Sequence, residues 1–403
     1  MRNVTVVGGG FSGLVTAYYL VKRGLTVRIS ERCSRVGGML RTIRTPHGLV
    51  ETAANGIRNS ARLEAMCADI GVPLQPTRSQ ARARYIYRDG PRRFPLKLSE
   101  SLRLVFGTAT HAGTLRPKPF ETIAGWGQRV LGPGATDYFL SPALGGIYAG
   151  DSKVLSASLI FHKNGIANGV RGASPPRPRL RGTVAPPNGM QQLIDGLRRY
   201  LEHAGVEFTL NSAARADAGE PVVICTPPRA AAEYLREISP DLSQQLQEIE
   251  MLPLVTATCF YPSHSEKLNG FGCLFPRSEG FRALGVLFNT CIFDGRGPAD
   301  SETWIFGGAL DREVISLSEQ ELSQLIAAER RQLCRVDKEV LAMHPHYWPE
   351  ALPHYSINLE RALTSLSPLP PDVALVGNYL GGLGLGKIID RAAQVATQFG
   401  RAA

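Results

Sequence analysis

Val4 to Val7 form a short apolar run, glycines stand at positions 8, 9, 10 and 13, and apolar residues then recur at helical spacing to about position 23. That order predicts a buried strand over 3–7, a glycine turn, a helix over 12–23 and a second strand over 25–30, the opening of a dinucleotide-binding βαβ unit. A helix is predicted over 58–70, closed by Gly71, and the mixed apolar spacing from 96 to about 162 predicts mostly helical structure. Residues 165–187 read as an irregular connection, because Pro175-Pro176 and Pro186-Pro187 exclude regular helix. A helix over 189–204 and strands over 206–210 and 221–226 follow. Strand-like runs at 255–260, 284–288 and 303–306 are expected to share one sheet. Ser318 and Glu321 have capping-box spacing at the head of a helix over 318–336. A strand at 373–376, a glycine-rich stretch over 377–386 and a helix from about 388 to 399 close the pattern.

The first turn carries chemistry. Gly8 permits a tight turn, Gly10 lets a pyrophosphate approach the backbone, and Gly13 permits close helix packing. Free N–H groups in the first helical turn then face the phosphate charge. Glu31 ends the second strand, eighteen residues beyond Gly13, where a carboxylate accepts both hydroxyls of an adenosine ribose and repels a 2′-phosphate. An NAD domain would continue into a helix at this point. Here Arg35, Gly37, Gly38 and Arg41 follow, then a hairpin-like stretch to Glu51. The two glycines let backbone lie close to a second phosphate or a flavin, and either arginine supplies charge, so the expected cofactor is FAD.

A strand, glycine turn and helix at both ends imply that the terminal segments return to one domain. The expected fold class is α/β: a Rossmann-type FAD-binding domain with an α+β substrate domain and a mostly helical subdomain. The FAD-binding domain would take residues 1–75, 188–235 and 366–403. The substrate domain would take 76–187, which carries the helical part, and 236–365.

Composition narrows the partners. With 43% hydrophobic and 20% charged residues the chain is expected to be an ordered soluble protein. No run reaches the length of a membrane helix, and the opening run is too short for a signal peptide, so a cytoplasmic location is expected. The seven cysteines form no close pair, which supports neither a disulfide framework nor a metal site. The formal charge of +10 is uneven. Arg78, Arg82, Arg84, Arg88, Arg92, Arg93, Lys97 and Arg103 face only Asp89 and Glu100 in their stretch, and Arg171, Arg177, Arg179 and Arg181 form a second basic run. Such patches can attract a carboxylate-bearing substrate or, peripherally, the anionic inner face of a membrane, and the alternative is a merely solvated basic face. No nucleic-acid-reading module is present, and a homodimer is left open.

Val7-Gly-Gly-Gly-Phe-Ser-Gly, Glu31-Arg-Cys-Ser-Arg-Val-Gly-Gly and Gly377-Asn-Tyr-Leu-Gly-Gly-Leu-Gly-Leu together resemble the flavin-dependent amine oxidase superfamily. Within it the chain is similar to the protoporphyrinogen oxidases, through Gly146-Ile-Tyr-Ala-Gly-Asp151, Phe271-Gly-Cys-Leu-Phe-Pro-Arg-Ser-Glu-Gly280 and Pro349-Glu-Ala-Leu-Pro-His-Tyr355. The resemblance implies FAD-binding, substrate-binding and helical membrane-facing regions. It also implies removal of six electrons from a porphyrinogen, protoporphyrinogen IX or coproporphyrinogen III, two at a time through FAD to oxygen or another acceptor.

Such chemistry needs positioning more than acid–base groups, so no catalytic residue is assigned. His162, His344, His346 and His354 show no nucleophile spacing, although His354 lies in a family-like block. Arg84 matches an arginine that faces a propionate in the family. Gly381, Gly382 and Gly384 match a block near the flavin, where a helix N-terminus stabilises negative charge on reduction. Four departures stand out: Glu51-Thr52-Ala53 replaces Glu-Leu-Gly, Leu385-Gly-Lys-Ile388 replaces Leu-Pro-Asp-Cys, Asn358-Leu359 replaces Gly-His, and the connection from Leu210 to Pro221 is unusually short. Alternative functions are flavin-dependent oxidation of an amine or another hydrophobic acid, and a flavin-binding assembly or regulatory role without turnover.

Overall fold

The computed structural model describes residues 3–93, 95–97, 99–101, 115–161, 178–214, 220–263, 268–336 and 338–399. Arg103, His162, Arg171, Arg177 and much of the expected 165–187 connection lie outside the described residues.

The chain opens with strand β1 (Asn3–Val7), helix α1 (Phe11–Val21) and strand β2 (Thr26–Ser30), close to the sequence reading. Strands β3 (Thr42–Thr45) and β4 (Gly48–Glu51) form the expected hairpin. Helix α2 (Ala61–Asp69) starts where the Ser60 side chain accepts a hydrogen bond from the Leu63 N–H. Strand β5 (Tyr85–Tyr87), helix α3 (Gln191–His203) and strands β6 (Glu207–Thr209) and β7 (Val222–Ile224) follow. Next come strands β8 (Met251–Tyr261), β9 (Gly272–Leu274), β10 (Gly285–Phe288) and β11 (Asp300–Gly307). Helix α4 (Glu319–Cys334) has both halves of the capping box: Ser318 caps the Glu321 N–H and Glu321 caps the Ser318 N–H. Strand β12 (Ala342–Pro353), strand β13 (Val373–Leu375) and helix α5 (Leu385–Phe399) complete the order.

Two sheets organise the molecule. The first runs β6-β2-β1-β7-β13 and is parallel throughout, so its strands share one carboxyl edge. The inner strands β1 and β7 are mostly buried and apolar, whereas β2 alternates and the edge strand β6 is largely exposed. On one face Val4, Val6, Ile29 and Val223 pack with Leu14 and Ala17 of α1, Leu193 and Leu197 of α3, and Ile389 and Ala392 of α5. On the other face Val222, Ile224 and Leu375 meet Ala231, Leu235 and Leu246. The second sheet runs β12-β8-β11-β10-β9-β5 and ends on Pro91–Arg92. Its β8, β10 and β11 are the three strands expected to share a sheet. One face buries Val255, Ala257, Trp304 and Phe306 against Leu322 and Ile326 of α4.

The sequence missed β12, whose proline, histidine and tryptophan content obscures alternation. The region expected to be helical holds helices at Ile123–Val130, Ser141–Tyr148 and Ala157–Phe161 within the described residues. The expected irregular connection requires one correction, because Thr183–Ala185 is a strand paired with Ile57–Arg58 and with Gln75–Pro76. Three residues ahead of Pro186-Pro187 are enough for the central strand of a small sheet, although not for a helix. The last helix begins at Leu385, three residues before the expected position, directly behind Gly384.

Candidate cofactor and substrate site

The carboxyl edge of the parallel sheet gathers the predicted nucleotide residues. Gly8 has φ +100°, and a Cβ on Gly13 would stand 1.8 Å from the Gly8 carbonyl oxygen, so no side chain fits there. Gly10 is the N-cap of α1, no side chain caps the helix, and its first turn holds no acidic residue. The positive helix end therefore faces outward, ready for an anion. Gly37 (φ +102°) and Gly38 (φ +58°) lie against this turn, with Gly37 N–H donating to the Gly9 carbonyl at 2.8 Å. The Arg35 guanidinium donates to the Val36 and Gly38 carbonyls at 3.3 and 2.6 Å, which makes it a brace for the double-glycine loop. Arg41 is exposed at the start of the hairpin.

Glu31 stands at the end of β2, beside the turn. One carboxylate oxygen accepts from Gly9 N–H at 2.6 Å and the other from Cys33 N–H at 2.8 Å. Each oxygen retains a lone pair for a ribose hydroxyl. The carboxylate thus orients the glycine turn in addition to the role expected from sequence.

The C-terminal glycines reach the same edge because β13 pairs with β7, which pairs with β1. Gly381 has φ +91°, a Cβ on Gly382 would meet Lys387 at 2.7 Å, and around a Cβ on Gly384 there is open space. Helix α5 starts immediately behind them with no acidic residue in its first turn.

FAD fits the residues present. Thr226 Oγ1 and Tyr379 Oη are buried polar atoms without a hydrogen-bond partner. Thr226 lies beside the glycine turn, with its methyl carbon 3.0 Å from where a Gly8 Cβ would be. Tyr379 is 1% exposed, and burial pushes its hydroxyl pKa well above the ordinary range. Unsatisfied buried polar atoms are costly, and a dinucleotide bound at this edge would offer Thr226 a hydrogen-bond partner. Tyr379 lies in the C-terminal family-like block without having been singled out, and Thr226 carried no sequence signal, since a lone threonine behind a buried strand is ordinary.

Thr52, one of the family departures, ties the second sheet to the double-glycine loop. Its carbonyl accepts from Trp348 Nε1 at 2.9 Å and from Thr256 Oγ1 at 3.2 Å, while its hydroxyl donates to the Met39 carbonyl at 2.7 Å. The second sheet is thereby fixed over the double-glycine loop. Glu51 beside it pairs with Arg296 at 2.9 Å, with both side chains 2% exposed.

Family-like blocks scattered along the chain converge. The Tyr148 ring is 5.0 Å from the Tyr355 ring, and the Tyr355 hydroxyl donates to the Asn378 carbonyl. A Cβ on Gly146 would meet Leu274 at 2.5 Å. His354 is 6% exposed, and its Nδ1 lies 2.5 Å from Glu250 Oε2, an arrangement that fixes the ring in place. Arg84 is exposed, with its guanidinium carbon 4.4 Å above the Phe271 ring, and it lines a cavity of about 490 Å³ with Gln80, Arg82, Arg93 and Asn269. Phe271 packs on the apolar cluster that also contacts Ala53, Ala54 and Leu385.

The chain belongs to the flavin containing amine oxidoreductase family, whose model matches residues 11–382. It is an FAD-dependent oxidoreductase. Protoporphyrinogen oxidase 2 of Arabidopsis thaliana is 26% identical, across 98% of this chain and 93% of that protein. The Homo sapiens protoporphyrinogen oxidase is 24% identical, across 98% of each. Among solved structures, one from an Exiguobacterium species, assigned provisionally as a protoporphyrinogen oxidase, superimposes with TM-score 0.79 at 19% identity, covering 99% of this chain and 98% of that one. Cyclohexylamine oxidase from Brevibacterium oxydans gives 0.70 at 15% identity, covering 99% and 100%. At those identities the solved structures establish the fold.

Proposed function

We propose that this enzyme oxidises a porphyrinogen to the porphyrin by successive two-electron steps in tetrapyrrole biosynthesis, with oxygen or another acceptor as the final oxidant. The observation that carries the reading is the cavity at Arg84. Among the described residues three arginines line it and no carboxylate does. A cationic wall of this kind attracts a substrate that carries carboxylates and repels the ammonium of an amine substrate. The full-length likeness to protoporphyrinogen oxidases points the same way.

Bound FAD supplies the hydride acceptor. The chain's own contribution is placement: Arg84 offers a planar pair of donors to a propionate, and Phe271 holds that guanidinium from behind. Thr52, Trp348 and Thr256 keep the second sheet seated over the double-glycine loop, which fixes the distance between substrate wall and cofactor. His354 is committed to Glu250 and is given no proton-transfer role.

The test is a steady-state assay of the FAD-loaded protein with anaerobically prepared porphyrinogens and a panel of amines, in oxygen and with alternative acceptors. Porphyrin fluorescence rising above the spontaneous rate supports the reading. Turnover of an amine with no porphyrin formed replaces it with the amine oxidase alternative.

A further inference from the structure

The cavity at Arg84 contains more cationic groups than a two-propionate edge requires. Arg82 ends the Ser79–Arg82 turn, Arg84 follows two residues on and precedes β5, and Arg93 follows Pro91–Arg92, so two backbone segments bring three arginines to line one space of about 490 Å³. Among the described residues none of Arg82, Arg84 and Arg93 is ion-paired. The neighbouring cavity of about 350 Å³ shares Gln80 and Asn269 with it but is neutralised: Arg78 faces Asp294 at 3.3 Å and Arg296 faces Glu51 at 2.9 Å. The contrast sets the Arg84 cavity apart from its surroundings.

Two of the three cations are backed by aromatic rings. Arg84 lies 4.4 Å over Phe271 and Arg93 lies 6.0 Å over Tyr85. Stacking occupies a guanidinium face and leaves its edge donors free for a carboxylate. The walls are joined, since Phe271 N–H donates to the Ala83 carbonyl at 2.7 Å and the Tyr85 hydroxyl donates to the Asn269 carbonyl at 3.0 Å.

Resting on the porphyrinogen reading, we propose that Arg82 and Arg93 extend the Arg84 site so that it selects a porphyrinogen with four carboxylates over one with two. A propionate in place of a vinyl group gives an otherwise unpaired guanidinium its partner. A vinyl group set against the same guanidinium displaces water from it and returns no hydrogen bond. Discrimination therefore comes from a repelled wrong substrate as well as an attracted right one.

The experiment measures kcat/KM of the FAD-loaded protein for coproporphyrinogen III and protoporphyrinogen IX, in wild type, Arg82→Gln and Arg93→Gln, with the flavin spectrum as a check on folding. Arg82→Lys and Arg93→Lys serve as conservative variants. Equilibrium binding of coproporphyrin III, its tetramethyl ester and protoporphyrin IX is followed by fluorescence quenching, which does not depend on turnover. Wild type is expected to prefer coproporphyrinogen by about tenfold or more, and each glutamine variant to lose most of that ratio. The lysine variants should recover part of it, and the ester should bind weakly. Equal use of both porphyrinogens by wild type, an unchanged ratio in the glutamine variants, or ester binding as tight as the acid overturns the proposal. If neither porphyrinogen is oxidised while the porphyrins still bind with the expected preference, the cavity assignment stands and the oxidation reading fails.

Discussion

Arg296 Nη1 lies 2.9 Å from Glu51 Oε1, and this buried ion pair joins the β3–β4 hairpin to the 295–297 turn before β11. Glu51 also accepts from Met190 N–H at 3.0 Å and Thr42 Oγ1 at 2.8 Å, and Arg296 donates to the Asn55 carbonyl at 3.4 Å. Burial pushes the Glu51 carboxyl above its ordinary pKa against the pull of Arg296, and it depresses Arg296 in turn. Removing one partner strands the other in the interior, at a cost of about 3–5 kcal/mol. Arg296→Met and Glu51→Leu should each lower the unfolding midpoint in urea. The double variant should be less destabilised than the sum of the singles, and additive losses would contradict the pairing.

Purified protein should release free FAD on denaturation. Gly13→Val puts a side chain against the Gly8 carbonyl and should leave no bound flavin. Glu31→Gln keeps the hydrogen bonds within the turn in part but loses the charge, and should raise the FAD dissociation constant by roughly tenfold or more. Chromatography of the released cofactor and flavin fluorescence titration check both. Flavin retained at wild-type affinity in both variants would count against the site.

Arg84→Ala should leave the flavin spectrum intact and lower kcat/KM for a porphyrinogen by about 30–150-fold, the value of one charged hydrogen bond. Arg84→Lys should recover only part of the loss, because charge returns without the planar pair of donors. An unchanged kcat/KM in the alanine variant removes Arg84 from the substrate wall.

Arg88 holds Glu100 through bonds of 2.7 and 3.0 Å and packs 3.6 Å from the Tyr138 ring, so it joins β5 to the helical region. The Arg88 guanidinium keeps the Glu100 carboxyl down at about 2, below its ordinary 4.5. A depressed carboxylate stabilises the fold above its unfolded pKa and loses that contribution as pH falls toward the folded value. The stability gap between wild type and Glu100→Gln, on the order of 1–2 kcal/mol, should therefore be constant from near neutrality to about pH 5 and narrow below about 4.5. Denaturant melts across that range decide it, and a gap that widens in acid contradicts the assignment.

Much of the first sheet was legible in the sequence because its inner strands are buried on both faces, and runs such as Val222–Ile224 are apolar without interruption. Gly8 and Gly13 were legible for the same reason that they matter, since no side chain fits the turn there, and Gly10 was legible by its spacing between them. What brings the site together was not legible. Thr52, Trp348 and Thr256 meet through a main-chain carbonyl, which carries no residue signature. Glu51 and Arg296 are 245 positions apart, and each alone resembles a surface charge. The strand β12 was hidden because Pro345, His344 and Trp348 break the usual alternation, although its neighbour β8 pairs with it over most of its length.

The central claim is tested most directly by anaerobic titration of the oxidised enzyme with limiting porphyrinogen, following the flavin absorbance and the porphyrin band together. Six electrons leave each porphyrinogen and each FAD accepts two. About three flavins should bleach for every porphyrin formed, with no oxygen present. Flavin that stays oxidised in the presence of porphyrinogen, or porphyrin that forms without bleaching, would contradict it.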